Sequence, residues 1–156
     1  TWTGLAVSAD GSTVVATAYN NFLYTSANSG VTWTQRAGAG IRYWYAAAAS
    51  ADGTKLVAAV RITGNIYTSS DSGATWVLRS DAGTRGWYAL ASSADGTKIV
   101  ATSVGSSYVY TSTDSGVTWT QLAVAAGSYY GVGSSTNGVK LIMTRSSGYI
   151  TTGLYN

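Results

Sequence analysis

"TSTDSGVTW", Thr111–Trp119, is the stretch on which the reading of this chain turns. Alone it suggests a small acidic loop, with Asp114 available as a metal ligand or a catalytic carboxylate. The chain repeats it, however. "TSANSGVTW" spans Thr25–Trp33 and "TSSDSGATW" spans Thr68–Trp76, so Asn28, Asp71 and Asp114 fall 43 residues apart. A second motif keeps nearly the same beat. "SADG" stands at Ser8–Gly11, Ser50–Gly53 and Ser93–Gly96, and "STNG" follows at Ser135–Gly138, in steps of 42, 43 and 42 residues. A period of this length marks a structural unit that buries its apolar side only against its neighbours.

Each copy divides into four short segments of strand character. The first reads "WYAAAAS" or "WYALASS" and the second "TKLVAAV" or "TKIVATS"; the third reads "NIYTS" or "YVYTS" and the fourth "TWVLR" or "TWTQL". Between the first two lies Asp-Gly, a pair that accepts the positive φ of tight hairpin turns. Four antiparallel strands in ~42 residues is the rhythm of a propeller blade. The Ala- and Gly-rich first segment suits an innermost strand at a crowded axis. The expected fold is therefore an all-β β-propeller, a single domain over 1–156, with blades at approximately 2–43, 44–86, 87–128 and 129–156. The fourth copy stops before any box-like loop, which predicts three complete blades and a fourth lacking its outermost strand. A four-bladed ring, a longer array, and two chains joined head to tail into about eight blades are the three completions. The last, a homodimer, is preferred because it hides unpaired strand edges.

Composition narrows the chemistry. The 156 residues are 46% hydrophobic and carry no Cys, His or Pro, and all six acidic residues are Asp. Zinc, iron and copper ligand sets need His or Cys, as do Cys–His and Ser–His nucleophile pairs. Calcium needs about 6–8 oxygen ligands, usually with several carboxylates; each loop offers one at best. No cofactor or metal is expected. A net charge of +3 with unclustered lysines argues against nucleic acid, and no apolar run approaches the ~20 residues of a membrane span. Without an initial Met or a secretory signal, the chain reads as a mature product or an excised piece.

The loops follow the pattern Ser-x-Asp-x-Gly-x-Thr-Trp, carried by Ser26, Asn28, Gly30 and Trp33, by Ser69, Asp71, Gly73 and Trp76, and by Ser112, Asp114, Gly116 and Trp119. This resembles the Asp-box, or bacterial neuraminidase, repeat of sialidases, xyloglucan-cleaving glycosidases, sortilin-type receptors and photosystem II assembly propellers. The resemblance implies a hairpin between third and fourth strands, with the Asp accepting backbone N–H bonds and the Trp packed in the blade. It is silent on activity, because such propellers include enzymes and non-catalytic binders. The residues agree: Asp or Asn before Ser-Gly forms a turn through its side-chain oxygen, and a catalytic carboxylate would not tolerate Asn28. Sialidases of this kind use a Tyr–Glu pair, and the chain has no Glu. Glycosidases otherwise need two carboxyl groups about 5–10 Å apart. Here only Asp81 stands outside a repeated turn. A non-enzyme is expected, with a glycosidase-related remnant as the weakest alternative.

In an up-and-down blade, the Asp-Gly turns and the boxes emerge on one face, and the second turns and inter-blade crossings on the other. The first face is nearly constant in sequence. The second is variable, with turns "AYNN", "RITGN", "VGSS" and "RSSG". It collects the arginines with neighbouring aromatics. Arg42, Tyr43, Arg61, Arg79, Asp81, Arg85, Tyr88, Tyr130 and Arg145 are the candidate ligand-binding residues. Aromatic rings would stack on sugars or apolar side chains, and Arg would bind carboxylates. The packing alternative is that Trp2, Trp44, Trp87 and Tyr129, equivalent in every copy, are core, together with Trp33, Trp76 and Trp119. The expected function is a lectin-like or protein-binding module at a cell surface or outside the cell; the competing one is a self-assembling structural repeat.

Overall fold

The computed structural model of the chain describes residues 1–105, 108–125, 127–146 and 148–154. Ser106, Ser107 and Ser147 of the variable turns, Ala126 of the last crossing, and Tyr155 and Asn156 of the final segment lie outside the described residues.

The strands run as four successive antiparallel meanders. The first holds β1 (Trp2–Val7), β2 (Val14–Asn21), β3 (Leu23–Ser26) and β4 (Thr34–Arg36). The second holds β5 (Arg42–Ala49), β6 (Leu56–Val60), β7 (Ile66–Ser69) and β8 (Val77–Arg79). The third holds β9 (Gly86–Ser92), β10 (Ile99–Val104), β11 (Val109–Ser112) and β12 (Thr120–Leu122). The fourth has β13 (Tyr129–Ser134), β14 (Lys140–Arg145) and β15 (Ile150–Leu154). The Ala- and Gly-rich strands β1, β5, β9 and β13 pack side by side in chain order, as small side chains at an axis allow. The molecule is a partial β-propeller of three four-stranded blades and one three-stranded blade. A short extra pairing of β2 with β5, Tyr19 opposite Tyr43, ties the first two blades together.

The turns explain their own sequences. In each box two successive residues are left-handed: Ser29 and Gly30 at φ 57° and 85°, Ser72 and Gly73 at 55° and 83°, Ser115 and Gly116 at 60° and 85°. Holding a serine there requires a strong local clamp. Asp71 supplies one: Oδ1 accepts from the Ser69 hydroxyl at 2.7 Å and the Thr75 N–H at 2.9 Å, and Oδ2 accepts from the Thr75 hydroxyl at 2.6 Å. The Ser69 oxygen in turn accepts the Gly73 N–H at 2.8 Å. Asp114 repeats the pattern with Ser112 and Thr118. Asn28 repeats it with its amide oxygen, while its NH2 donates to the Thr32 hydroxyl at 2.9 Å.

Blades are joined by three layers of contact. An aromatic residue at the head of each inner strand enters the preceding blade: Trp44 packs with Leu23 and Ala39, Trp87 with Ile66 and Ala82, and Tyr129 with Val100 and Val109. All three are fully buried, worth about 2–3 kcal/mol each by area. Backbone bonds link successive Asp-Gly turns: Ala9 N–H to Ala51 O, Ala51 N–H to Ala94 O and Ala94 N–H to Thr136 O, all at 2.7–2.8 Å. Finally, Lys55 and Lys98 each donate to the next turn, at Asp95 O and Asn137 O, both 2.8 Å.

The first blade departs from the repeat in two places. Trp2 is 64% exposed and Trp33 44%, whereas their equivalents are buried or partly buried. Trp2 lies edge-on to Tyr24. The physical reason is that these residues pack toward the preceding blade, and the described residues hold no blade before the first. Trp119, by contrast, reaches Trp87 and donates through its indole N–H to Gly116 O at 2.9 Å.

Because Asn28 already performs the box clamp, Asp71→Asn is expected to keep stability within roughly 1 kcal/mol. Asp71→Ala removes the bonds from Ser69 and Thr75 that hold the left-handed Ser72, and is expected to lower stability by about 0.5–1.5 kcal/mol, read from urea unfolding midpoints.

Candidate functional site

The residue after each buried aromatic emerges on the opposite side of the inner strand, as strand alternation requires. Tyr45, Tyr88 and Tyr130 occupy that place in three successive blades. Their rings form a chain, with centroids 4.8 Å apart for Tyr45 and Tyr88, and 5.0 Å for Tyr88 and Tyr130. Arg61, at the end of β6, lays its guanidinium over this chain, 4.4 Å from the Tyr45 centroid and 5.1 Å from that of Tyr88. Such placement over a ring face is favourable through the quadrupole. Backbone bonding holds Arg61, whose N–H donates to Tyr43 O at 3.0 Å. Gly86 makes room for it: a Cβ there would stand 2.9 Å from the Arg61 carbonyl. The Tyr45 hydroxyl is shifted above its ordinary pKa, first by its hydrogen bond with Tyr88 and then by burial. The result is a half-buried cationic–aromatic cluster on the variable face.

The other candidate residues are distributed differently. Arg42 and Arg85 serve their own blades: their Nε atoms donate to Ala39 O at 3.0 Å and Ala82 O at 3.2 Å, and their guanidinium groups cap Tyr67 at 4.9 Å and Tyr110 at 4.4 Å. Arg42 still borders a groove of about 230 Å³ with Asn20, Tyr43, Thr63 and Asn65. Tyr43 pairs with Tyr19 at 4.6 Å. Arg145 lies 5.2 Å from the Tyr149 ring, apart from the tyrosine chain.

Two residues expected in crossings take structural places. Arg79 closes β8, opposite Ile66, where the segment "TWVLR" ends, and donates through Nε to Thr68 Oγ1 at 2.7 Å. Asp81, read as the free carboxylate, accepts the Trp119 N–H at 2.6 Å. It reaches across to the foot of the next box, 38 residues along the chain. Tyr45 was missed. Its signal was the repeated "WY" pair, which marks it as the equivalent of Tyr88.

The remaining carboxylates are committed to turns. Asp10 is lowered to about 2 by the hydroxyl of Ser8, then by the N–H and hydroxyl of Ser12. Asp71 is lowered to about 2 by the hydroxyl and N–H of Thr75, then by Ser69. For Asp114, burial pulls upward, but the bonds from Thr118 and Ser112 outweigh it and leave about 2. Asp52 and Asp95 are also lowered, chiefly by Ser50 and Ser93. Carboxylates held ionised in this way are anchors for loops, and among the described residues no three of them gather at one point.

No protein-family model matches the chain, and no curated protein matches it. Solved structures do. A GH74 enzyme of Niastella koreensis is 25% identical, with a TM-score of 0.75 over 97% of this chain and 22% of that one. A structure of the nidogen/laminin complex gives 14% identity and a TM-score of 0.79, over 99% of this chain and 59% of the other. YCF48 bound to D1 peptide gives 16% and 0.71, over 99% and 51%. The chain thus spans a fifth to three fifths of these structures, and the likeness to the last two concerns the fold.

The lowered Asp values set a pH dependence. Their stabilisation is fully present above the ordinary value of 3.8 and is lost as pH falls toward about 2. With no His in the chain, melting temperature is expected to be flat from pH 5 to 8 and to fall steeply between about pH 4 and 2, as measured by circular dichroism.

Proposed function

We propose that the chain is a non-catalytic binding module that recognises an acidic glycan through the variable face, at Arg61, Tyr45, Tyr88 and Tyr130. The observation that carries this reading is the cluster itself. Three tyrosine rings from three blades form a chain, two of them beside one guanidinium, and the Asp carboxylates are occupied in turns or at Trp119 rather than at that cation. A flat sugar ring finds stacking surface there, and a carboxylate on it finds the Arg donors. Five of the six carboxylates are held as loop anchors and the sixth is bonded to a backbone N–H, which supports binding over hydrolysis.

A protein ligand is the second reading. It is favoured by two of the similar structures, one a nidogen/laminin complex and one YCF48 with a D1 peptide. An acidic peptide with an aromatic side chain satisfies the same cluster. The setting proposed is a cell surface or the extracellular space, where such ligands are displayed.

A glycan array and an acidic peptide panel separate the two readings. The wild type is expected to retain acidic glycans, with binding lost in Arg61→Ala and weakened about tenfold or more in Tyr88→Ala. Binding that survives both substitutions removes the cluster as the site. Binding to peptides alone establishes the second reading.

A further inference from the structure

The three internal joints between blades define, residue by residue, what each blade offers its neighbours. On the following side, Leu23, Ile66 and Val109 of the third strands and Val57 and Val100 of the second strands are buried against the next blade's aromatic. The equivalent residues of the last blade are Ile150 and Ile142. Ile150 is 73% exposed, and Ile142 is exposed beside an apolar hollow of about 780 Å³ lined by Leu141, Gly153 and Leu154. On the preceding side, Trp44, Trp87 and Leu90 are buried; their first-blade equivalents, Trp2 and Leu5, are exposed, Leu5 at 69%.

The polar layer is open at the same two places. Gly53, Gly96 and Gly138 each nest against the preceding blade, where a Cβ would stand within 3 Å of Thr13, Lys55 or Lys98. Gly11 has nothing within 4 Å. At the other end Lys140 holds the place from which Lys55 and Lys98 donate to the next turn. Thr136 has its carbonyl bonded to Ala94, while its N–H lies where Ala9, Ala51 and Ala94 donate forward.

We infer that the first and last blades are two halves of one joint, made between two copies of this chain. The halves match on every layer. Trp2 and Leu5 of one copy seat on Ile150 and Ile142 of the other, Gly11 nests on Lys140, and Thr136 N–H and Lys140 Nζ donate to the Ala9 and Asp10 carbonyls. The occupant is a second copy because one chain carries both halves of the joint, so each copy offers the half that fits the other's; further blades in the same chain would instead leave the protein monomeric. Each copy carries both halves, so a pair forms the joint twice and closes a ring of eight blades. This inference is independent of the ligand reading, since it concerns the outward sides of the end blades and not the tyrosine cluster.

Mass in solution tests it. Sedimentation equilibrium is expected to give twice 16.1 kDa. Leu5→Asp and Ile150→Asp, each at an exposed position, are each expected to weaken the pair at least about 100-fold by burying an unpaired charge. Circular dichroism should show that the fold is retained. Mixing the two variants leaves one joint wild type on both sides and is expected to recover a pair; a contact that joins each half to the same half of the partner would not be recovered this way. A monomeric wild type overturns the inference. So does a dimer indifferent to both substitutions, or a mixture of variants that stays monomeric. An assembly of more than two copies overturns the eight-blade closure.

Discussion

An aromatic side chain whose burial needs the neighbouring sheet is the constraint on which this structure depends. Trp44, Trp87 and Tyr129 each pack between their own blade and the blade before it, so that both are needed to bury them. A single blade is then a sheet with two unburied apolar sides, and becomes stable only as a member of a series. Everything else in the repeat serves that joint. The small residues of the inner strand let blades crowd at the axis, the box presents its Trp sideways, and the Asp-Gly turns form a backbone-bonded rung between blades.

The local parts of this design were legible because their causes are local. Ser-Gly in each box reads directly as two left-handed residues, and the Asn28 substitution for Asp reveals that an oxygen acceptor, not a charge, is needed there. Strand number and order followed from the beat of the motifs. What was not legible depends on contacts between copies of the repeat. Asp81 has no equivalent elsewhere in the chain, so nothing in its own blade shows that it meets Trp119 from 38 residues away. Trp2 and Trp33 look identical to their buried or partly buried equivalents, and differ in that the described residues hold no blade before theirs. Periodicity reports what a residue is built for, not whether its neighbour is present.

The arginines show a related limit. Sorted by turn, all belong to the variable face, yet their side chains do different work. Arg42 and Arg85 are held by a crossing carbonyl and cap a tyrosine of their own blade, a repeated device that shields ring faces at the margin of the core. Arg61 breaks the repeat: its counterpart in the third blade is Val104, one strand-end position away from Ser103 opposite Trp87. Arg61 thus departs from its equivalents while lying among half-buried rings, so no repeated packing role accounts for it.

The same logic bears on the tyrosine chain. It begins at Tyr45 because the first blade has Thr3 in that place, with its hydroxyl donating to Trp44 O at 2.8 Å and lying 2.9 Å from that of Thr17. Thr3 satisfies the backbone but offers no ring, so the aromatic surface runs across three blades and stops. In a ring of two copies, two such runs of three tyrosines would face each other across the axis, each interrupted by a threonine and each carrying one Arg61. An uneven surface of that kind presents two separate stacking sites rather than one continuous band.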